Sequence, residues 1–404
     1  VTARGIAADR IMTCDPARAG PVGVIERGVV VFDGPSIAYV GERGGAPADV
    51  PFVELGDRVV TPGLVDAHTH ACWVGSRHGE YAARAAGADY RAIAAAGGGI
   101  LATQRAVAAA TEADLARALA ARLERMAAVG VTTVEVKSGY GLEGADEVKQ
   151  LRAIAAAANG DRPAIVPTFL ALHALPPSAR ANRARYVERV ARELVPEVAR
   201  EGLARFVDAY IDDGAFTAEE ARTVGLAARG AGLGVRLHVG QFADVGGAAV
   251  AAAIGANSAD HLEHVSAAGA HALAAAGVAA VLLPVASFAL GQPPPPVSLL
   301  RSAGVSLVVA TDANPGTAPT ESLPLAMALA VRLYGLSPEE ALLGATRYAA
   351  ASLGLEERGV LRAGARADFV VWDLPHEQAI TQPWGVPKTQ AVVGAGRLLA
   401  GAWP

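Results

Sequence analysis

The strongest constraint on this chain is a rhythm in its middle third to two thirds. Short, apolar, β-rich runs recur roughly every 25–45 residues, separated by stretches rich in Ala, Leu, Arg and Glu that read as helices. Eight such runs stand out, at 59–67, 131–137, 164–171, 205–211, 234–239, 257–262, 278–284 and 305–311. A parallel strand covered by helices on its outer face and packed inside a barrel is buried on both sides. It therefore shows a continuous apolar run and not an alternation. Helices are expected between the runs, the clearest over Glu112–Val129 and Tyr186–Glu201. Eight strand–helix units predict an α/β fold of the (β/α)8 TIM-barrel type.

The two ends of the chain read differently. Gly23-Val24-Ile25, Gly28–Phe32, Ser36–Val40 and Arg58-Val59-Val60 are β-type runs, with Asp33-Gly34 as a hairpin signal. Gly359-Val360-Leu361, Ala367–Trp372 and Ala391-Val392-Val393 repeat that character near the C-terminus. The expected organisation is a small β-sandwich domain built from residues 1–59 and 360–404, around a barrel at 60–359. With 404 residues, 52% of them hydrophobic, the chain has ample material for a large core beside a second small one.

Composition excludes several classes of function. A formal net charge of −5 with interspersed signs gives no nucleic-acid footprint. Two cysteines, Cys14 and Cys72, do not make a disulfide framework, and free thiols fit a reducing cytoplasm. Residues 1–15 lack the apolar core of a secretory signal. Val265–Leu300 contains no Asp, Glu, Lys or Arg, which is long enough to span a bilayer, but Gly277, Pro284, Gly291 and the run Pro293–Pro296 interrupt it. It reads as a short Ala-rich helix, a buried strand over Val278–Leu283 and a loop, with no membrane span.

A barrel of this type keeps its chemistry at the C-terminal ends of its strands, and the predicted strand ends are where reactive side chains fall. The first run closes on His68-Thr69-His70, the third on His173, the fifth on His238, the sixth on His261 and the eighth on Asp312. In an extended segment residues i and i+2 share a face, so His68 and His70 can hold one cation between them. Imidazoles with a carboxylate suit Zn²⁺ or iron, and a catalytic site leaves one position open for water. His78, His264, His271 and His376 lie off the strand ends and read as surface or packing residues.

Pro62-Gly63-Leu64-Val65-Asp66-Ala67-His68-Thr69-His70 resembles the opening signature of the amidohydrolase superfamily, and Gly359–Asp368 resembles its return into the small β domain. The resemblance implies a metal held by His68, His70, His238 and Asp312. Some members bridge two metals with a carboxylated Lys at the end of strand 4. Here that strand ends Asp208-Ala209-Tyr210-Ile211-Asp212, and Lys137 lies at the end of strand 2, so one Zn²⁺ or Fe²⁺/Fe³⁺ per chain is expected. Within the superfamily, Glu135–Leu142, Gly87–Ile100, Thr168–Pro176, Ser258–His264 and Thr311–Gly316 are similar to segments of the imidazolonepropionases.

That resemblance implies hydrolysis of the cyclic amide 4-imidazolone-5-propanoate to N-formimidoyl-L-glutamate in histidine degradation. Asp312 would move the proton of the attacking water to the leaving ring nitrogen, and His261 would polarise the carbonyl. Arg77, in the first βα loop, would read the propanoate, Tyr140, His173 and Gln241 would contact the ring, and Asn314, Gly316 and Thr317 would receive the glutamate end, with Tyr90 a further wall. Two departures stand out. Gln241 occupies a place where some members carry Glu, and an amide cannot transfer protons at neutral pH; the last thirty residues also fit the family poorly. A cytosine deaminase or cyclic-imide hydrolase would share the metal set without needing Arg77 or the Tyr140 segment. A catalytically dead scaffold would have lost ligands, whereas all four positions are present. The partner expected is a small molecule. Superfamily relatives are often homodimers, but no residue pattern here marks an interface.

Overall fold

The computed structural model describes residues 3–88, 92–93, 97–158 and 160–403. Its strands are β1 (Arg4–Met12), β2 (Val24–Asp33), β3 (Ser36–Glu42), β4 (Phe52–Glu54), β5 (Val59–Pro62), β6 (Leu64–Asp66), β7 (Val131–Lys137) and β8 (Ala164–Leu172). They continue as β9 (Phe206–Ile211), β10 (Gly234–Val239), β11 (Ser258–His261), β12 (Ala279–Leu282), β13 (Leu307–Val309), β14 (Phe369–Trp372), β15 (Thr389–Gly394) and β16 (Arg397–Gly401).

Strands β6 to β13 pair in sequence order as an eight-stranded parallel sheet. A parallel bridge between Thr69 and Ala313, just beyond β6 and β13, brings the two edges together, giving the (β/α)8 barrel. Along β7 to β11 the side chains alternate. Val134 and Val136, Val207 and Ala209, and Val235 and Leu237 join the large apolar core under the helices. The opposite face carries Glu135 and Lys137, Asp208, Arg236 and His238, and Asp260, all buried. Val65, Val166, Val281 and Val308 add apolar filling to the interior and cluster with Ala349 and Ala350 of the short helix Arg347–Ser352 and with Leu353 just after it.

The other eight strands form a separate sheet from both chain ends, ordered β16-β15-β14-β5-β1-β2-β3, with β4 also on β1. Ile6, Ile11, Val30, Phe32, Phe369 and Val371 make its own core. The Asp33-Gly34 hairpin joins β2 to β3 as expected, Gly34 taking φ +53°.

The structure departs from the sequence reading at five points. The first apolar run, 59–67, is two strands: β5 pairs with β1 and β14 in the small sheet, and β6 begins the barrel. Gly63 is the corner, where an added Cβ would collide with the Thr132 side chain. Strand β1 gave no signal because Ala8, Asp9 and Arg10 break its apolar pattern. Gly359-Val360-Leu361 is a turn, attached by one bond from the Leu361 N–H to the Thr13 carbonyl. The predicted loop after β12 is helical over Pro284–Leu290, with Pro at the first turn, where no N–H is needed, and Gly291 (φ +64°) ending it. The helix expected over 186–201 runs Arg183–Arg200 with a π turn at Val190–Leu194, immediately before Pro196, which has no N–H to donate. Among the described residues no helix is long and apolar enough to cross a membrane.

Candidate active site

His68 and His70 stand beyond the end of β6, on an extended segment laced to the loop after β13. The Asp312 N–H donates to the His68 carbonyl (3.0 Å) and the His70 N–H to the Ala313 carbonyl (3.0 Å). Below them, the Asp66 carboxylate accepts the Thr311 N–H (3.1 Å) and hydroxyl (2.6 Å). Asp312 and His261 both take positive φ, +54° and +79°. Such strain in a non-glycine residue costs about 1–3 kcal/mol and persists where its surroundings enforce it, as at functional sites.

The four expected ligands converge. Asp312 Oδ1 lies 3.5 Å from His68 Nε2 and 3.4 Å from His70 Nε2. His70 Nε2 is 3.3 Å from His238 Nε2. The far sides of the His68 and His238 rings are informative. His68 Nδ1 sits 2.6 Å from Asp260 Oδ2 and His238 Nδ1 3.1 Å from Asp208 Oδ1. A carboxylate at Nδ1 accepts a hydrogen bond from the ring's N–H and keeps the proton on that nitrogen, so Nε2 presents a lone pair, the arrangement typical of metal-binding histidines. His68 Nε2 is buried without a hydrogen-bond partner among the described residues. Burial, with Lys137 nearby, holds His68 well below the ordinary imidazole range. Burial likewise lowers His70, with His173 adding to it, and His238, where Asp208 opposes the shift only in part. His68 Nε2 and the Asp312 carboxylate oxygen, two acceptors facing each other at 3.5 Å, repel unless a cation lies between them. The donor set, three imidazoles and one carboxylate, therefore fits a zinc-like or iron-like ion.

His261, expected to stay outside the ligand set, also has a ring nitrogen within 4.8 Å of the ligand atoms of His68 and His238. Its Nδ1 faces Glu263 Oε1 at 3.7 Å. Burial pulls His261 down, but the surrounding carboxylates, Glu263 first and then Asp312 and Asp260, together outweigh it and the ring ends above its ordinary value. Burial pushes the Asp312 carboxyl up to about 7.

A cavity of about 590 Å³ opens over this cluster. His70, Arg77, Tyr140, His173, His238, Gln241, His261, Asp312, Asn314 and Thr317 all line it. His68 lies buried beneath. Gly316 is not on the wall; it packs against the Arg77 guanidinium, where any side chain would collide. Tyr90 lies outside the described residues. Arg77 is buried, and Glu80 Oε2 holds its Nε (2.9 Å) and Nη2 (2.6 Å). His173 Nδ1 donates to the Gly139 carbonyl (2.6 Å), and burial drops the ring to about 3, so it is a neutral acceptor at Nε2. Gln241 Oε1 accepts the Tyr210 hydroxyl (3.1 Å). The Asn314 side chain is engaged in its own loop, accepting the Gly316 and Thr317 N–H groups at 2.8 and 2.7 Å. His78, His264 and His271 are exposed, and His376 accepts the Gln378 N–H at the start of the 3-10 segment Glu377–Thr381.

Sequence reasoning missed the supports. Glu135, Lys137, Asp208, Arg236 and Asp260 form a buried charged layer beneath the histidines. Their signal was charge at every second position of otherwise apolar strands. Glu147 and Gln150 cradle the Tyr140 segment: Glu147 accepts the Gly139 and Leu142 N–H groups, Gln150 those of Tyr140 and Gly141. Arg183 and Phe216 close the cavity's outer wall.

Comparison with known proteins agrees with this geometry. The amidohydrolase family model matches residues 59–399, a span that takes in most of the last thirty residues. The imidazolonepropionase of Caulobacter vibrioides is 44% identical over 391 residues, 96% of this chain and 97% of that one. That of Acidiphilium cryptum is 46% identical over 369 residues, 90% of this chain and 91% of its own. Among solved structures, a triazine hydrolase variant superposes with a TM-score of 0.73 at 17% identity, covering 98% of this chain and 95% of that chain. A zinc-bound adenosine deaminase from Xanthomonas campestris gives 0.72 at 20% identity, covering 98% of this chain and 92% of that chain. At those identities the structural likeness speaks for the barrel alone, whereas the sequence relatives narrow it: the chain belongs to the amidohydrolase family, in its imidazolonepropionase branch.

Proposed function

We propose that this protein hydrolyses the ring amide of 4-imidazolone-5-propanoate to N-formimidoyl-L-glutamate, with one Zn²⁺ or iron ion held by His68, His70, His238 and Asp312. The carrying observation is a cavity lined by His70, His238, Asp312 and a buried arginine, with His68 directly beneath its floor. A bound ion of this kind supplies a water acidic enough to attack at neutral pH. Asp312 would take a proton from the attacking water and return it to the ring nitrogen as the C–N bond breaks, the former ring carbonyl becoming the product's new carboxyl group, which then ionises to solvent. His261 donates to the carbonyl oxygen as negative charge gathers there. Arg77, oriented by Glu80, reads the propanoate, and Tyr140, His173 and Gln241 set the ring's position. The absence of a lysine from the end of β9 supports one metal over two. Two buried, unpaired cysteines support a reducing, cytoplasmic setting.

The test is direct. Purified protein should consume 4-imidazolone-5-propanoate, followed by loss of its ultraviolet absorbance, and release N-formimidoyl-L-glutamate. Faster turnover of cytosine or a cyclic imide than of this substrate would displace the reading.

A further inference from the structure

The charged layer under the histidines has a centre. Lys137 Nζ lies 2.9 Å from Glu135 Oε1, 2.8 Å from Asp208 Oδ2 and 3.8 Å from Asp260 Oδ2, and all four side chains are fully shielded from solvent. Each carboxylate turns its other contacts to a different part of the site. Asp208 meets His238 Nδ1, and Asp260 meets His68 Nδ1. Glu135 Oε2 accepts the N–H of Thr69, the residue between His68 and His70 (3.1 Å). Arg236 Nη2 adds a second cation, 3.6 Å from Asp260, but it is spent mainly on the Ala67 carbonyl at 2.8 Å and does not reach Asp208 or Glu135.

We infer that Lys137 is a positioning residue for the metal site: one ammonium fixes three carboxylates, and through them the rings of His68 and His238 and the backbone that carries His68 and His70. The inference rests on the ligand set proposed above. Three anions against two cations leave the layer one negative charge, which suits a divalent cation directly above it. Partners of metal-bound histidines set ring orientation and basicity, and their loss weakens metal binding by about 10–100-fold. The Lys137 ammonium is paired with carboxylates and not with a proposed ligand, so whatever it contributes to ring orientation runs through them.

The experiment measures metal binding by the stripped protein, independently of turnover. Zn²⁺ affinity is read by competition with a chromogenic chelator, and the visible spectrum of the Co²⁺-loaded protein reports ligand geometry. Lys137→Met should bind Zn²⁺ about 10–100-fold more weakly than the parent, with altered Co²⁺ bands. Because that change leaves three carboxylates facing one another, the charge-balanced Lys137→Met/Glu135→Gln variant is made beside it. Its Gln can still accept the Thr69 N–H, and the same loss is expected. A purely structural Lys137 would lower the melting temperature of the stripped protein and leave affinity and spectrum alone; parental values in either folded variant overturn the inference. His238→Ala runs in parallel. If it keeps parental Zn²⁺ affinity, the ligand set is wrong; if it loses the metal while the Lys137 variants keep it, only the positioning role fails.

Discussion

Asp312 carries two burdens, as ligand and as proton carrier, and they can be separated. Asn keeps an oxygen for the ion but cannot take a proton. Asp312→Asn should therefore lower kcat by about 10²–10⁴. If the variant keeps its metal and loses less than tenfold, another group moves the proton, and His261 with its Glu263 partner is the next candidate. Arg77 sets specificity in a different way. A charge-assisted hydrogen bond is worth roughly 1.5–3 kcal/mol, so Arg77→Met should lower kcat/KM by about 10–150-fold on the propanoate substrate with metal content unchanged. The parent should discriminate against the neutral amide analogue and the Met variant should treat both alike; retained preference for the carboxylate would mean that another group reads it. The Gln241 side chain accepts the Tyr210 hydroxyl through Oε1, a bond a carboxylate can also accept. Gln241→Glu should remain active with a changed pH profile, and a metal-replete but inactive variant would make its amide N–H essential.

At the scale of elements, strand positions were legible because burial on both faces leaves apolar-rich runs, even where β7, β9 and β10 carry buried charges on one face, and the rim residues because chemistry at strand ends follows from the barrel itself. What escaped was whatever depends on a partner distant in sequence. Nothing local says that Val59–Pro62 pairs with Arg4–Met12 and Phe369–Trp372 while Leu64–Asp66, two residues on, pairs with Val131–Lys137. Lys137 was noticed as a lysine in the wrong place for bridging metals; its three carboxylates come from β7, β9 and β11 and meet only once the sheet curls. The Gly63 corner is the element that allows the switch of sheets, and it has no room. Gly63→Ala should destabilise the protein by about 1–3 kcal/mol, read as a lower denaturation midpoint. Thr132→Ala in the same chain removes the nearest clashing atoms and should recover part of the loss; no recovery would mean that the cost is one of backbone conformation.

At the scale of the whole molecule, the barrel has one weak seam. Seven neighbouring strand pairs from β6 to β13 are joined by ladders, but β13 meets β6 through a single bridge, a pair of loop hydrogen bonds and the Asp66–Thr311 contacts. The proposed ligands lie across that seam: His68 and His70 on one side, Asp312 on the other, with His238 reaching in from the opposite wall. A bound ion would therefore close the barrel as well as serve its chemistry, and any ligand that prefers the folded state stabilises it by mass action. Removing the metal with a chelator should lower the melting temperature, and one equivalent of Zn²⁺ or Fe²⁺ should restore it. Hydrogen exchange locates the effect. Amides of residues 66–70 and 310–314 should lose protection well before those of β8 and β9, whose pairing does not depend on the site. Equal loss of protection around the whole barrel would mean that the ion acts on global stability alone. Unchanged protection at the seam would show that Asp66, Thr311 and the loop bonds close it unaided.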